Sequence, residues 1–416
     1  MLDVSEKEGV LKVSEKEFIQ AIDGGVCAAE GVRAASVTAG IKYSGNPDMV
    51  LLVFDPPAAA AGVYTRNKMC AAPVTLCRER VGKSPLRAFL VNSGNANACT
   101  GEQGYRDAVS LCGEVADALD CPEAQVAMSS TGLIGAPLPV DLMKAQIANL
   151  VSGLSAEGGH EAAVGIMTTD TRPKEYAVRV NGPEGPYHIG GITKGAGMIA
   201  PDMATMLAYV ATDAVVAQAD LQNILRAVVR KTFNCVTIDG DTSTNDTVIL
   251  AATGATGVVL ESAEAMERFE AGLYRVCKEL ALSIVRDGEG VNKVVEVKIT
   301  GAASEEQAHL AAKSVSESLL VKTAIHGEMP NWGRMFAAAG YSGADVAPEK
   351  MSLRFGNVEV MRDGAPVPGW ADSLAPLLKQ PEYGLELGLG VGHAEAVFWT
   401  TDLSAEYVRF NADYKT

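Results

Sequence analysis

Near the midpoint of the chain, a glycine-bearing turn runs directly into an apolar strand. The segment reads Lys194-Gly195-Ala196-Gly197-Met198-Ile199-Ala200-Pro201-Asp202-Met203-Ala204-Thr205-Met206-Leu207, and the apolar run continues to Val210. Two glycines permit a tight turn and a close approach of backbone, while the strand beyond has to be buried by whatever fold forms. Thr205 stands at the junction, and its spacing leaves two readings open. In the first, a glycine-rich turn simply enters a core strand. In the second, the chain is cut before Thr205, so that one residue holds both a nucleophilic hydroxyl and a base. The new α-amine, with an intrinsic pKa of about 7.7–8.0, takes the hydroxyl proton.

A chain of 416 residues exceeds what one core usually organises, so two domains or one large two-layer body is expected. Its hydrophobic content of 48% suffices for that burial. Aromatics at 6% disfavour stacking platforms for single-stranded nucleic acid, and a net charge of −16 opposes a phosphate-backbone partner. The N-terminus lacks a basic segment followed by an apolar one, and no apolar run reaches the roughly 18–20 residues of a membrane span. A cytoplasmic protein with no membrane partner is the expectation. The eight cysteines contain no CxxC pair and read as reduced, small hydrophobes. Five histidines without HExxH spacing disfavour a metal. No GxGxxG, GxxxxGK[ST] or GxSxG occurs in context, so nucleotide cofactors and the serine-hydrolase elbow lack support.

Val4-Ser5-Glu6-Lys7-Glu8 recurs as Val13-Ser14-Glu15-Lys16-Glu17, which marks residues 1–17 as a solvated N-terminal extension. Strands are expected at Val50–Phe54, Ala88–Val91, around Val178, at Leu207–Thr212, Val236–Asp239 and Thr247–Ala252, and over 294–299. Helical periodicity covers 105–119, 141–153, about 261–286 and 304–318. A further helix, capped by Asp220, carries Leu221, Ile224, Leu225, Val228 and Val229 on one face. Strands and helices come in runs rather than strict alternation, which predicts an α+β, layered α/β sandwich. The strongest internal boundary is the Ala204–Thr205 bond.

Several short polar clusters have both a chemical and a plain reading. In Ser130-Thr131-Gly132-Leu133, the Thr131 hydroxyl and the Gly132 amide suit a developing oxyanion, or form an ordinary turn. Thr168-Thr169-Asp170-Thr171 suits the carboxylate or amine of a small substrate, or caps a helix. Glu289, between Gly288 and Gly290, can approach a cationic group closely, or lies in an exposed acidic turn. Lys194 binds an anion or is solvated. Trp332 reads as a core anchor, and Asn411 to Thr416 as a frayed tail.

Taken together and in order, these segments resemble the ornithine acetyltransferase family, also called glutamate N-acetyltransferase, of arginine biosynthesis. The markers are Gly31 to Ala35, Val91 to Ala98, Ser130 to Gly135, Met167 to Thr171, Lys194 to Leu207, Gly240 to Thr247, Arg286 to Gly290, Pro330 to Arg334 and Asn411 to Thr416. The resemblance runs from about Gly24 to Thr416. It implies a precursor that cuts itself between Ala204 and Thr205 into an α chain (18–204 after the extension) and a β chain (205–416), which associate as two α and two β chains. It implies Thr205 as nucleophile and Thr131 with Gly132 as oxyanion hole. Substrate contacts would come from Thr168 (or Thr169), Lys194, Thr205, Glu289, Asn411 and Thr416. The implied reaction moves an acetyl group from N-acetylornithine to glutamate by a ping-pong route, with no cofactor and with acetyl-CoA as an alternative donor. An N-terminal-threonine hydrolase or aminopeptidase shares the same nucleophile and is the competing expectation. Two stretches depart from the family pattern. Gly290-Val291-Asn292-Lys293 stands for Gly-Ala-Thr-Lys, and His326-Gly327-Glu328-Met329-Pro330 replaces Phe-Gly and Asp-Pro surroundings.

Overall fold

The structure is a computed structural model that describes residues 15–42, 44–200 and 206–413. The first nine strands are β1 (Ile19–Ile22), β2 (Val32–Val37), β3 (Met49–Tyr64), β4 (Leu86–Asn95), β5 (Val126–Leu133), β6 (Lys174–Gly182), β7 (Gly185–Lys194), β8 (Leu207–Thr212) and β9 (Thr247–Ala252). They pair in the order β1-β6-β7-β8-β9-β3-β4-β5, with β2 on β3.

The sixteen-residue β3 is the hinge of this arrangement. Its first half pairs with β2 and β4 and its second half with β9, with a register break between Val53 and Ala58. Pro56 and Pro57 lie in that break, where neither can donate a ladder hydrogen bond. The strand thereby joins two halves of one nine-stranded sheet, and the halves pack on each other. Leu207, Tyr209 and Ala211 of β8 share a core with Val50, Leu52 and Phe54 of β3. The alternate residues point outward, in keeping with the two-residue period of a strand. Ala208 and Val210 meet the helices Gln218–Lys231 and Ala263–Arg286, while Met49, Leu51 and Val53 meet the helices Gly101–Ala118 and Val140–Ser152. The result is helix, sheet, sheet, helix. A strand buried on both faces needs an unbroken apolar run, which is what Leu207–Thr212 supplies.

A smaller sheet follows: β10 (Val294–Ala302), β11 (Ser352–Phe355), β12 (Val358–Arg362), β13 (Ala365–Pro366), β14 (Glu382–Gly388) and β15 (Ala394–Thr401), in the order β13-β12-β11-β14-β10-β15. The helix Glu305–Glu317 packs on β10 and β15, and the Ser304 hydroxyl caps it by accepting from the Gln307 amide at 3.2 Å. Val295, Val297, Ile299 and Phe398 join the same core as Leu280, Ile284 and Val285 of the long helix. The layered α/β expectation holds. Strands from both sides of Thr205 share the large sheet, so the expected α and β chains are not separate globular bodies.

Three local expectations need correction. The helix bearing Leu221, Leu225, Val228 and Val229 begins at Gln218, and Asp220 lies in its first turn rather than at the cap. Gln218 and Gln222 explain the earlier start: their side-chain amides bond the backbone of Ala60 and Gly62 along the free edge of β3. Val236–Asp239 is not a strand; only Val236 bridges to Trp399, and Asp239 turns to hold the central loop. The chain near Asn411 is not frayed but lies in the helix Ala405–Asp413. Residues 1–14 and Thr416 lie outside the described residues. Trp332 packs edge-on against Phe336, with ring centroids 5.7 Å apart, at the margin of the core. No cysteine pairs in a disulfide, and burial pushes the Cys112 and Cys235 thiols up to about 12. No described helix is long and apolar enough to cross a membrane.

Candidate active site

Within the glycine-bearing segment, Gly195 to Ala200 are held by a series of hydrogen bonds. The Gly195 amide donates to Asp170 Oδ1 at 2.7 Å, and the Ala196 carbonyl accepts from the Glu289 amide at 2.8 Å. The Met198 and Ile199 amides donate to the Asp239 carboxylate at 2.6 and 2.8 Å. The Ile199 and Ala200 carbonyls accept from Ile238 N (2.7 Å) and Thr242 Oγ1 (2.8 Å). These bonds come from three separate stretches of chain. Gly195 to Ala200 therefore form a fixed loop. Ala204 and Thr205 themselves lie outside the described residues; the ladder resumes where the Met206 carbonyl accepts from Thr247 N at 3.1 Å.

Next to this loop, β4 and β5 run parallel and end together. Ser93 faces Thr131, and Gly94 faces Gly132. Gly132 has φ +131°, and a Cβ there would lie 2.3 Å from the Gly94 carbonyl carbon and 2.6 Å from Asn95 N. Only glycine fits. Asn245 ties the strand ends together: its side-chain amide donates to the carbonyls of Ala96 (2.6 Å) and Ser130 (2.8 Å). Gly132→Ala is expected to cost about 1–3 kcal/mol in backbone strain. Thermal melts of the variant check it.

Lys194 closes β7 opposite Leu207 of β8, and its Nζ lies 3.4 Å from Thr131 Oγ1. It is buried, and burial pushes the ammonium pKa down; Lys174 adds to that, while Asp170, Glu289 and Asp246 pull it back up. Asp246 is itself wholly buried, and burial pushes its carboxyl well above the usual range. Its Oδ2 has no partner among the described residues. The ammonium, the hydroxyl and the glycine turn together place donors where they can polarise a carbonyl oxygen.

Beside Lys194 lies a set of buried charges. Lys174 Nζ lies 2.6 Å from Asp170 Oδ1 and 2.5 Å from Asp287 Oδ2, with all three side chains at most 3% exposed. Asp170 also accepts the Thr168 amide at 2.9 Å, and Asp287 accepts the amide and hydroxyl of Thr171. Burial alone would raise the Asp170 carboxyl, but Lys194, Lys174 and the Gly195 amide outweigh it and hold it at about 2. Two residues beyond Asp287, the Glu289 carboxylate covers Gly197, where a Cβ would come within 2.4–2.6 Å of its atoms. Asn411 Nδ2 donates to Glu289 Oε2 at 2.9 Å. A half-buried carboxylate beside an amide donor suits an amino-acid head group.

The chain's residues 33–416 match the ArgJ family. The chain belongs to the ArgJ family. The arginine biosynthesis bifunctional protein ArgJ of Geobacter sulfurreducens is 46% identical over 391 residues, covering 93% of this chain and 99% of its own. The protein of the same designation from Thermosynechococcus vestitus is 43% identical over 415 residues, covering 95% and 99%. Among solved structures, the ornithine acetyltransferase of Mycobacterium tuberculosis, complexed with ornithine, is 42% identical. It matches 45% of this chain and 99% of that one, with a TM-score of 0.42.

In this ArgJ-family chain, Thr131, Gly132 and Lys194 come together at the ends of β5 and β7, and Glu289 pairs with Asn411. Thr168 is anchored beside them through its amide, with Thr169 next to it. Thr205 and Thr416 lie outside the described residues. The sequence alone gives no individual role to Lys174, Asp239, Asn245, Asp246, Asp170 or Asp287. Their signal was present: a lysine opening a strand that is later buried, and carboxylates in runs of small residues. Only the fold shows which of them meet.

Proposed function

We propose that this chain transfers the acetyl group of N-acetylornithine to glutamate through an acetyl ester on Thr205. The supporting observation is the buried Lys194 ammonium, 3.4 Å from Thr131 Oγ1 beside Gly132, together with the Glu289–Asn411 pair packed on Gly197 of the same loop. In the precursor, Thr205 Oγ attacks the Ala204 carbonyl. The Ala204–Thr205 amide becomes an ester, and water hydrolyses it to release residues 1–204 from 205–416. The freed α-amine, with a pKa of about 7.7–8.0, then serves as base.

In the transfer itself, Thr205 Oγ attacks the acetyl carbonyl of N-acetylornithine while the α-amine takes its proton. The Thr131 hydroxyl and the Gly132 amide hold the tetrahedral oxyanion. The C–N bond breaks, the proton passes to the departing nitrogen, and ornithine leaves. The glutamate amine attacks the ester in the same way, giving N-acetylglutamate and regenerating Thr205. Glu289 takes the substrate's cationic amine, with Thr168, Lys194, Asn411 and Thr416 completing its contacts. The ester has to be kept from water between the two halves of the cycle. No cofactor enters these steps, and acetyl-CoA is a second acetyl donor. The α and β chains assemble as two of each, in the cytoplasm.

Incubation with N-acetylornithine and labelled glutamate is expected to give labelled N-acetylglutamate, with a rate that rises as pH passes through about 7.7–8.0 and the α-amine loses its proton. Release of free acetate in place of that product would assign the chain to the hydrolases. Omitting N-acetylornithine and supplying acetyl-CoA tests the second donor.

A further inference from the structure

Asp402 follows β15 directly, and its side chain is completely buried. Oδ1 accepts the amides of Asn292 (2.9 Å) and Lys293 (3.0 Å), and Oδ2 accepts Asn292 Nδ2 at 3.2 Å and faces His326 Nδ1 at 2.7 Å. The loop it grips is the one that carries Glu289. Asn292 Nδ2 reaches back to the Gly290 carbonyl at 3.2 Å, and Ser404 Oγ donates to the same carbonyl at 2.6 Å. Ser404 Oγ also accepts the Tyr407 amide at 3.0 Å at the start of the helix Ala405–Asp413. That helix carries Asn411 back to Glu289. The circuit has little slack, because a Cβ on Gly290 (φ +66°) would lie 2.4 Å from Tyr407 N.

Asn292 and His326 lie in the two stretches noted above as departing from the resembled family pattern, and both converge on Asp402. A threonine at 292 has no amide to bridge Asp402 and the Gly290 carbonyl, and a phenylalanine at 326 has no donor for Oδ2.

We propose that Asp402, clamped by Asn292 and His326, is a positioning residue that fixes the Glu289–Asn411 pair and thereby sets affinity for the cationic amino-acid substrate. This rests on the assignment of Glu289 as a substrate contact. Nothing in the clamp touches the reacting acetyl group, so its loss acts on KM and leaves kcat largely alone.

The test is steady-state kinetics on the full-length protein with N-acetylornithine as the varied substrate. His326→Phe and Asn292→Thr, each of which removes one donor to Asp402, are each expected to raise KM about three- to tenfold with kcat within about twofold and with a melting temperature near that of the parent. His326→Asn, which retains a donor near the Nδ1 position, is expected to keep KM close to that of the parent. Asp402→Asn is expected to give the largest rise. Glu289→Gln separates the two claims. If it leaves KM unchanged, the substrate contact itself is wrong. If it raises KM while His326→Phe and Asn292→Thr do not, the positioning role is overturned and the contact stands. A parallel fall in kcat for the clamp variants, or failure of His326→Asn to restore KM, would also overturn it.

Discussion

Thr205→Ala is expected to leave one uncut chain of full length on a denaturing gel and to reduce acetyl transfer by at least about 10³–10⁴-fold. Both effects follow from one missing oxygen. Without the hydroxyl, the Ala204 carbonyl has no neighbouring nucleophile, so the amide persists. Without the cut, no α-amine is freed to act as base. The fixed loop makes this a sharp test, because Gly195 to Ala200 are held by Asp170, Glu289, Asp239 and Thr242 on side chains or backbone that the substitution does not touch. A melting temperature near that of the parent should therefore accompany the loss. A variant cut normally would remove Thr205 from the role of nucleophile.

Lys174→Met is expected to produce the largest loss of stability of any single change near the site, about 3–5 kcal/mol at neutral pH. The lysine is almost fully buried between Asp170 and Asp287, and its removal leaves two buried carboxylates without their shared cation. A methionine fills the space but cannot replace the charge. The loss should depend on pH in a definite sense. The Asp170 carboxyl, held at about 2 in the folded protein, lies below its unfolded value of about 3.9. Its stabilising contribution is complete above about pH 4 and disappears as pH falls towards 2. In the variant, protonation of the carboxylates relieves their burial. The difference in stability between parent and variant should therefore be largest near pH 7 and shrink below about pH 4. Urea melts at pH 7 and pH 3 measure it. An equal difference at both would mean that lost packing, not uncompensated charge, is the cause. Acetyl transfer should fall as well, because Asp170 holds the Gly195 amide and the Thr168 amide.

Much of the architecture could be read from the chain itself. Leu207–Thr212 and Thr247–Ala252 are continuous apolar runs, and they form strands with those bounds. The long helix was legible from its period, and it occupies Ala263–Arg286. Elements failed to be legible where a contact distant in sequence overrode a local pattern. Asp220 has the chemistry of a cap, but Gln218 and Gln222 dock on the edge of β3 and start the helix earlier. Val236–Asp239 has strand-like alternation, yet the Asp239 carboxylate is drawn to the Met198 and Ile199 amides, about forty positions away.

The sequence by itself determined the family and the layered arrangement, because these rest on short segments in a fixed order and on apolar residues at strand or helix period. Tertiary structure alone decided what surrounds the glycine-bearing loop. The Asp170–Lys174–Asp287 set joins residues up to 117 positions apart, and the Asp402 clamp joins positions 292, 326 and 402. A buried charge is tolerable only when its partner arrives with it. That partner is chosen by how strands and helices pack in space, which no local run of residues specifies.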